Sequence, residues 1–344
     1  MNNKYFKRVI DQTQTQFWIN NVTKEEAHLA IQNGATGCTQ NPSYVWKMIE
    51  NPNENGKVNE IIKELKEQYD DSNEVLIQLQ KILVEEIAEI FLPMYEESKG
   101  RYGYVSIQSD PTNETYEEIM REGMLNTEKF PNLMIKIPAI PDGIRAIEDL
   151  ARIGKPINAT EIMSVRQGVD VCHAYNRAII GMQKKAPIYY SHISGILDEY
   201  LANYVKDNNV DISPDYLWQA GIAAAKKTYE ICNEINNEVG FIGGGARGLH
   251  HFTEMVGADA CITINWKGTA DKLLEENPVV VQRFNSPVPQ IVIDELTDKI
   301  LDFKKAYYIN EITPEEYHHF GPVVLFRNSF VTAWEKARDY ISNI

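Results

Sequence analysis

Cysteine and positive charge are both scarce in this chain. Its 344 residues include four cysteines, Cys38, Cys172, Cys232 and Cys261. They lie far apart, with neither CxxC nor Cys/His ligand spacing, so the sequence encodes neither a disulfide framework nor a zinc site. They read as reduced thiols of a cytoplasmic protein. Lys and Arg number 34 against 49 Asp and Glu, a formal net charge of −15. That balance excludes an extended basic face for nucleic acid or an anionic membrane, while a local basic pocket for a small anion is still allowed. No apolar run approaches the roughly 18 residues that a membrane span needs. Residues 1–16 are largely polar, unlike a secretory leader. The G-x-G-x-x-G fingerprint of a dinucleotide fold does not follow the first strand candidate. No linker is long enough to demand a second domain, so the expected unit is one domain over 1–344.

What the chain does contain is alternation. Short apolar segments at 17–20, 35–39, 102–108, 132–138, 157–160, 187–191, 239–243 and 260–264 have strand length, and helical patterns separate most of them. Thr23 and Glu26 make a capping box for the first such helix, which Gly34 ends. Eight strands of this kind predict an α/β fold, a (β/α)8 TIM barrel, rather than an open doubly wound sheet. Two stretches break the rhythm. A helical insertion at about 51–98, between the second and third strands, carries Val75, Leu79, Leu83, Ile87 and Phe91 on one face. A helical extension at about 290–344 carries Phe326, Phe330, Trp334 and Tyr340, which predict a helix packed back on the body. Single helices are expected over about 111–122, 214–234, 247–256 and 294–307, and residues 1–16 read as a polar lead-in.

The fourth strand holds the most informative residue. In Asn132-Leu133-Met134-Ile135-Lys136-Ile137-Pro138, alternation points Leu133, Ile135 and Ile137 one way and Met134 and Lys136 the other. A strand buried on both faces forces the ammonium inward. Desolvation there favours the free amine, the form that attacks a ketone. Barrel sites lie at the carboxyl ends of strands. Those ends carry Asn20, Thr39 with Asn41, Ser106 with Gln108, Asn158 with Thr160, Ser191 with His192, Gly243 to Arg247, and Thr263 with Asn265. Hydroxyls and amides around one buried amine suit a polyhydroxylated ligand such as a sugar. Gly243-Gly244-Gly245 ahead of a helix would expose backbone N–H groups to an anion, with Arg247 beside them. His250-His251 and His318-His319 are pairs without an evident third ligand, so no metal is expected.

Several of these segments resemble the transaldolase / fructose-6-phosphate aldolase family. Ala35-Thr36-Gly37-Cys38-Thr39-Gln40-Asn41-Pro42-Ser43 is similar to the family's ATTTNPS turn, and Met134-Ile135-Lys136-Ile137-Pro138-Ala139 with Gly143-Ile144-Arg145-Ala146 to its Schiff-base segment. Val105 to Gln108, Asn158-Ala159-Thr160, Ser191 before Ile196-Leu197-Asp198, and Gly243 to Arg247 match in the same order. The resemblance implies a transaldolase-type enzyme of carbohydrate metabolism and the pentose phosphate pathway. Such an enzyme moves a dihydroxyacetone unit from a ketose phosphate to an aldose through a Schiff base on Lys136, with no metal or cofactor. Asn41 and Thr160 would orient the donor and the catalytic water. Ser191, with Asn158, would contact the sugar, and Arg247 would bind its phosphate beside the backbone N–H groups of Gly244 and Gly245. It also implies a homo-oligomer, a dimer by preference.

The chain departs from that pattern at chosen places. The family's first-strand aspartate is Asn20 here, the glutamate of true transaldolases on the third strand is Gln108, and the arginine after the sixth strand is missing from Ser194-Gly195-Ile196-Leu197. Amides do not shuttle protons, so another base is required. His192 is the first candidate, with Asp110 and Glu161 behind it. The alternatives are an aldolase-like lyase on a differently charged ketose, or a catalytically impaired sugar-binding homologue.

Overall fold

A computed structural model describes residues 4–344. Eight parallel strands close into a barrel in sequence order, with β8 paired back on β1. They are β1 Gln16–Asn20, β2 Ala35–Thr39, β3 Tyr104–Gln108, β4 Leu133–Pro138, β5 Ile157–Ile162, β6 Ile188–His192, β7 Gly240–Gly243 and β8 Ala260–Asn265. Helices follow the strands as expected for a (β/α)8 TIM barrel. The strands are buried on both faces, which is why they read as apolar runs rather than as alternating ones. Their outward residues, such as Phe17, Ile19, Val105, Ile107, Ile135 and Ile137, join the helices in the main core. Inward, Trp18, Tyr104, Met134, Ile242 and Cys261 form a separate cluster that fills the barrel floor. A Cβ on Gly37 would lie 2.4 Å from the Trp18 indole, so the floor's bulkiest side chain requires a glycine on the next strand.

Above that floor, two residues further along each strand, alternation brings in the polar ring at the carboxyl ends. The predicted cap of the first barrel helix, Lys24–Gln32, forms in both directions. Glu26 N donates to Thr23 Oγ1 at 3.2 Å and Thr23 N to a Glu26 carboxylate oxygen at 2.9 Å.

Several helix expectations are revised. Residues 5–12 of the presumed lead-in are a helix, Tyr5–Gln12, because Tyr5, Phe6 and Val9 fall on one face and bury there. Phe6 stacks on Phe17 of β1 with ring centroids 3.9 Å apart. The helix after β3 starts at Tyr116 rather than Pro111. Asp110 accepts from Thr112 N and Oγ1, both at 2.7 Å, and holds that stretch as a turn. Two long helices split, into Pro214–Leu217 with Ala220–Ile235, and into Gln290–Lys299 with Leu301–Tyr307. The second break falls at Ile300, an extended residue that is fully buried.

The insertion between β2 and β3 forms helices Asn55–Lys66 and Ser72–Glu97. The chain ends in helix Gly321–Asn343, which crosses the mouth of the barrel and places Phe326, Ser329 and Phe330 over its centre. Among the described residues, no helix is long and apolar enough to cross a membrane.

Candidate active site

Lys136 sits where its strand predicts. The register sets it level with Gln108 on β3 and Asn158 on β5. The residue is 5% exposed, and its amine faces a cavity of about 210 Å³ at the carboxyl ends of the strands. Burial pulls its pKa down to about 8, an effect that the negative charge of Glu161 opposes. The Phe330 ring of the C-terminal helix lies above it, centroid 5.8 Å from Nζ. An apolar ring on one side and no ion pair among the described residues leave a free-amine fraction at neutral pH.

The cavity collects most of the sequence-predicted residues. Asn20, Asn41, Ser191, Gly244, Gly245 and Arg247 line it with Lys136. Asn20 donates to Asn265 Oδ1 at 2.8 Å and accepts from Thr39 Oγ1 at 2.8 Å, so its amide is held by β2 and β8 together. Asn41 accepts from Asn21 Nδ2 at 2.8 Å and from Ser43 Oγ at 2.6 Å, which fixes its carbonyl and turns its NH₂ to the cavity. Ser191 donates to Asn158 Oδ1 at 2.7 Å, and Asn158 in turn donates to Ser106 Oγ at 3.3 Å. This polar chain runs across β6, β5 and β3 at the level of the amine.

At β5 the structure adds what the sequence reading ranked low. Pairing with β6 shifts register between Ala159 and Ile162, and Glu161 within that bulge has φ of +61°. The left-handed residue breaks the strict alternation of the strand. Glu161 is fully buried, and Gln108 Nε2 donates to its Oε1 at 2.9 Å. Among the described residues, Glu161 Oε2, Thr160 Oγ1 and Gln108 Oε1 are buried without a partner. Burial pushes the Glu161 carboxyl up to about 7 against the opposing pull of the Gln108 bond, Lys136 and Arg327. The signal in the sequence was a carboxylate directly after the expected fifth strand, between Thr160 and Ile162. What pattern alone did not carry was the bulge that redirects it.

His192 lies elsewhere. It is absent from the cavity wall that its neighbours Ser191 and Ile193 help to form, as alternation along β6 requires. Its ring is fully buried with neither nitrogen paired, and burial holds it neutral, with a pKa near about 3. The expected anion nest is also changed. No helix opens at Arg247; a short one begins at His250. Gly244 N donates to His192 O at 2.9 Å, and Gly248 N donates to His251 Nδ1 at 3.2 Å. Those N–H groups are therefore used within the loop.

The His250-His251 pair does have an acidic neighbour, Asp198. His251 Nε2 meets Asp198 Oδ2 at 2.9 Å while its Nδ1 accepts backbone N–H, so this ring braces the loop that carries Arg247. Arg247 itself pairs with Glu199, Nε to Oε2 at 2.5 Å, on the half-exposed rim. On the cavity wall the cations are Lys136 and Arg247.

These buried carboxyls set a pH dependence of stability. Glu122 is pushed up by burial to about 8, and Glu161 to about 7. An acid whose folded pKa is raised holds its proton more tightly in the native state, so stability falls as pH rises toward that value. His192, lowered to about 3, acts in the opposite direction only below its ordinary value near 6.5, and Lys136 only above about 8. Between pH 6.5 and 8, stability is therefore expected to drop by roughly 2 kcal/mol, read as a fall in the urea midpoint.

A closed parallel barrel with a buried amine in a polar cavity at its strand ends has the architecture of the (β/α)8 class, whose sites lie at that end. The family model described as Transaldolase/Fructose-6-phosphate aldolase matches residues 17–309, and the chain belongs to that family of transaldolase-type enzymes. It is 23% identical over 328 residues to a transaldolase of Thiobacillus denitrificans, covering 84% of this chain and 87% of that one. It is 27% identical over 250 residues to a transaldolase of Trichodesmium erythraeum, covering 62% and 61% of the two chains. With transaldolase 1 of Streptomyces avermitilis it shares 31% identity over 163 residues, 43% of this chain and 42% of the other. The C-terminal helix Gly321–Asn343 lies beyond the family match.

Proposed function

We propose that the protein is a class I, Schiff-base enzyme that takes a dihydroxyacetone unit from a ketose and passes it to an aldehyde acceptor. The observation that carries this reading is the unpaired, desolvated Lys136 amine facing a cavity walled by amides and hydroxyls. The nitrogen lone pair attacks the ketose C2 carbonyl, and loss of water gives an iminium ion. The C3–C4 bond then breaks. Its electron pair moves into the C2–C3 enamine, the C4 hydroxyl loses its proton, and an aldose departs. The enamine adds to a second aldehyde, or it is protonated and the product iminium hydrolysed. The first outcome is transfer and the second is aldol cleavage, so the product ratio with and without an acceptor distinguishes the two. In this reading Ser191 and Asn41, which line the cavity, bind donor hydroxyls while Asn158 holds Ser191 from behind, and Asn20 orients a hydroxyl without taking its proton. Borohydride treatment with fructose 6-phosphate is expected to fix a covalent adduct on Lys136. Failure to trap one with either fructose 6-phosphate or fructose removes this reading.

Phosphate recognition is expected to be weak. Glu199 neutralises Arg247, and among the described residues no second arginine joins it on the cavity wall. Fructose 6-phosphate and fructose should then differ in kcat/KM by less than about tenfold, since a rim charge shared with a carboxylate contributes little. Glu199→Gln should raise the preference for the phosphorylated sugar severalfold, and Arg247→Ala should abolish it. A preference of about a thousandfold in the unaltered protein would show that Arg247 acts as a full phosphate clamp.

A further inference from the structure

We propose that Glu161 is the proton-transfer residue on the nitrogen side of the Lys136 site, donating to the carbinolamine hydroxyl as it leaves and accepting from the water that hydrolyses the product iminium. This rests on the Schiff-base reading of Lys136. The geometry that points to it is the β5 bulge. A non-glycine residue at φ of +61° is an unfavourable conformation for a side chain, kept here at a position that buries a carboxylate completely. Gln108 Nε2 grips one oxygen at 2.9 Å, leaving the other, Oε2, buried and unpartnered. Thr160 Oγ1, on the adjacent residue, and Gln108 Oε1 are equally unpartnered among the described residues. Gln108 is level with Lys136 in the sheet and holds Glu161, whose negative charge is felt at the amine.

The step balances without any further reactant. Attack of the neutral amine on C2 and transfer of its proton to the oxygen give a neutral carbinolamine. The protonated Glu161 gives its proton to that hydroxyl, the C2–O bond breaks to release water, and the nitrogen lone pair forms the C=N bond. Iminium and carboxylate then face each other as an ion pair. Hydrolysis runs the same transfers backward. The group therefore has to be protonated before the ketose arrives, and burial raises its pKa toward 7, so a large share is in that form at neutral pH.

The charged and titratable groups around Glu161 are Lys136 on β4, Arg327 on the C-terminal helix, and Glu114 on the loop after β3. Arg327 Nη1 lies 3.9 Å from a Glu114 carboxylate oxygen, and both border an outer hollow lined also by His318 and Glu335. Arg327 is accordingly a positioning residue that sets how readily Glu161 releases its proton. Gln108 is another, because it aims the carboxylate while leaving it free of a second charge.

The test is the rate of adduct formation. Enzyme and fructose 6-phosphate, or fructose if only that is trapped, are mixed from pH 5.5 to 9.5, quenched with borohydride at timed intervals, and the intact mass is read. In the unaltered protein the rate should rise as Lys136 loses its proton and fall again on the alkaline side as Glu161 loses its own. Glu161→Gln should slow trapping on the order of 10²-fold and abolish the alkaline fall. Arg327→Met, which removes a charge that favours the carboxylate, keeps Glu161 protonated to higher pH and should raise the trapping rate on the alkaline side severalfold. Survival of the alkaline fall in Glu161→Gln, or an alkaline-side trapping rate that does not rise in Arg327→Met, overturns the proposal. The absence of any adduct with the unaltered protein instead overturns the Schiff-base reading itself.

Discussion

Lys136→Met is expected to lose the borohydride-trapped adduct completely and to turn over ketoses at least on the order of 10⁴-fold more slowly, while the protein becomes more stable. The two effects have one cause. Methionine nearly matches the length of the lysine stem and suits the apolar side of the site beneath Phe330, so the barrel interior is not emptied. The substitution removes the nucleophile and also a buried cationic group. The lysine's folded pKa, lowered to about 8 from 10.5, means that burial disfavours the protonated form. A base with a lowered folded pKa weakens the fold at pH values below that pKa and stops doing so as pH rises through the interval to its unfolded value. At pH 7 the gain from removing it is about 3 kcal/mol, measured as a higher urea midpoint than the unaltered protein shows. A lysine kept for a structural ion pair would behave in the opposite way, because its loss would strand a buried carboxylate and lower the midpoint. A variant that is both less stable and still active would end the argument for Lys136 as nucleophile.

The barrel was legible because its strands obey two simple rules. Each is short and largely apolar, and most are followed by an amphipathic helix, so the eight segments stood out from composition and spacing. Lys136 was legible for the same reason, as an ammonium on the inward parity of a strand that offers it no water. Helix breaks were less visible. Ile300 is a buried apolar residue in an extended conformation, and nothing in its side chain marks the interruption that tertiary packing imposes. The N-terminal helix was hidden by its polar majority, since Tyr5, Phe6 and Val9 reveal an apolar face only when partners such as Phe17 and Phe252 are in place.

At the site, strand-end parity placed most of the cavity wall and missed wherever the backbone left ideal strand geometry. Ser191 and His192 are adjacent, yet one lines the cavity and the other is sealed behind it, as period two demands. Glu161 follows the opposite course. By parity it should share the outward face with Ala159, but the register shift and its positive φ bring its carboxylate to Gln108. The Arg247 loop shows a third kind of miss. Three glycines suggested exposed N–H groups, whereas Gly244 N is spent on His192 O, and the His251 ring, several residues later and held by Asp198, takes the N–H groups of Arg247 and Gly248. Bulges and long-range ring contacts of this kind leave no periodic trace in a sequence.

Trp334→Ala is expected to cost about 3–5 kcal/mol of stability and also to shift activity toward alkaline pH. Trp334 is fully buried on the C-terminal helix, on the stripe that includes Phe326, Phe330, Ala337 and Ile341. Its Nε1 donates to Asn73 Oδ1 at 2.9 Å, and Asn73 Nδ2 donates to Asp110 Oδ2 at 2.8 Å. One side chain thus ties the last helix to the start of insertion helix Ser72–Glu97 and to the loop after β3. Truncation removes the ring and also strands the Asn73 carbonyl, adding a polar penalty of about 1 kcal/mol. The functional effect passes along the helix. Phe330 is one turn before Trp334, and it is the ring that covers the Lys136 amine. Once that turn loosens, water reaches the amine, desolvation weakens, and the lysine pKa climbs back toward its ordinary value. Less free amine is then present at pH 7, and activity returns as pH is raised. Trp334→Phe keeps most of the packing and loses only the hydrogen bond, so it should show a small loss of stability and an unmoved pH profile. If Trp334→Ala lowers the urea midpoint but leaves the pH profile of the remaining folded enzyme where it was, the C-terminal helix stabilises the barrel without drying its site.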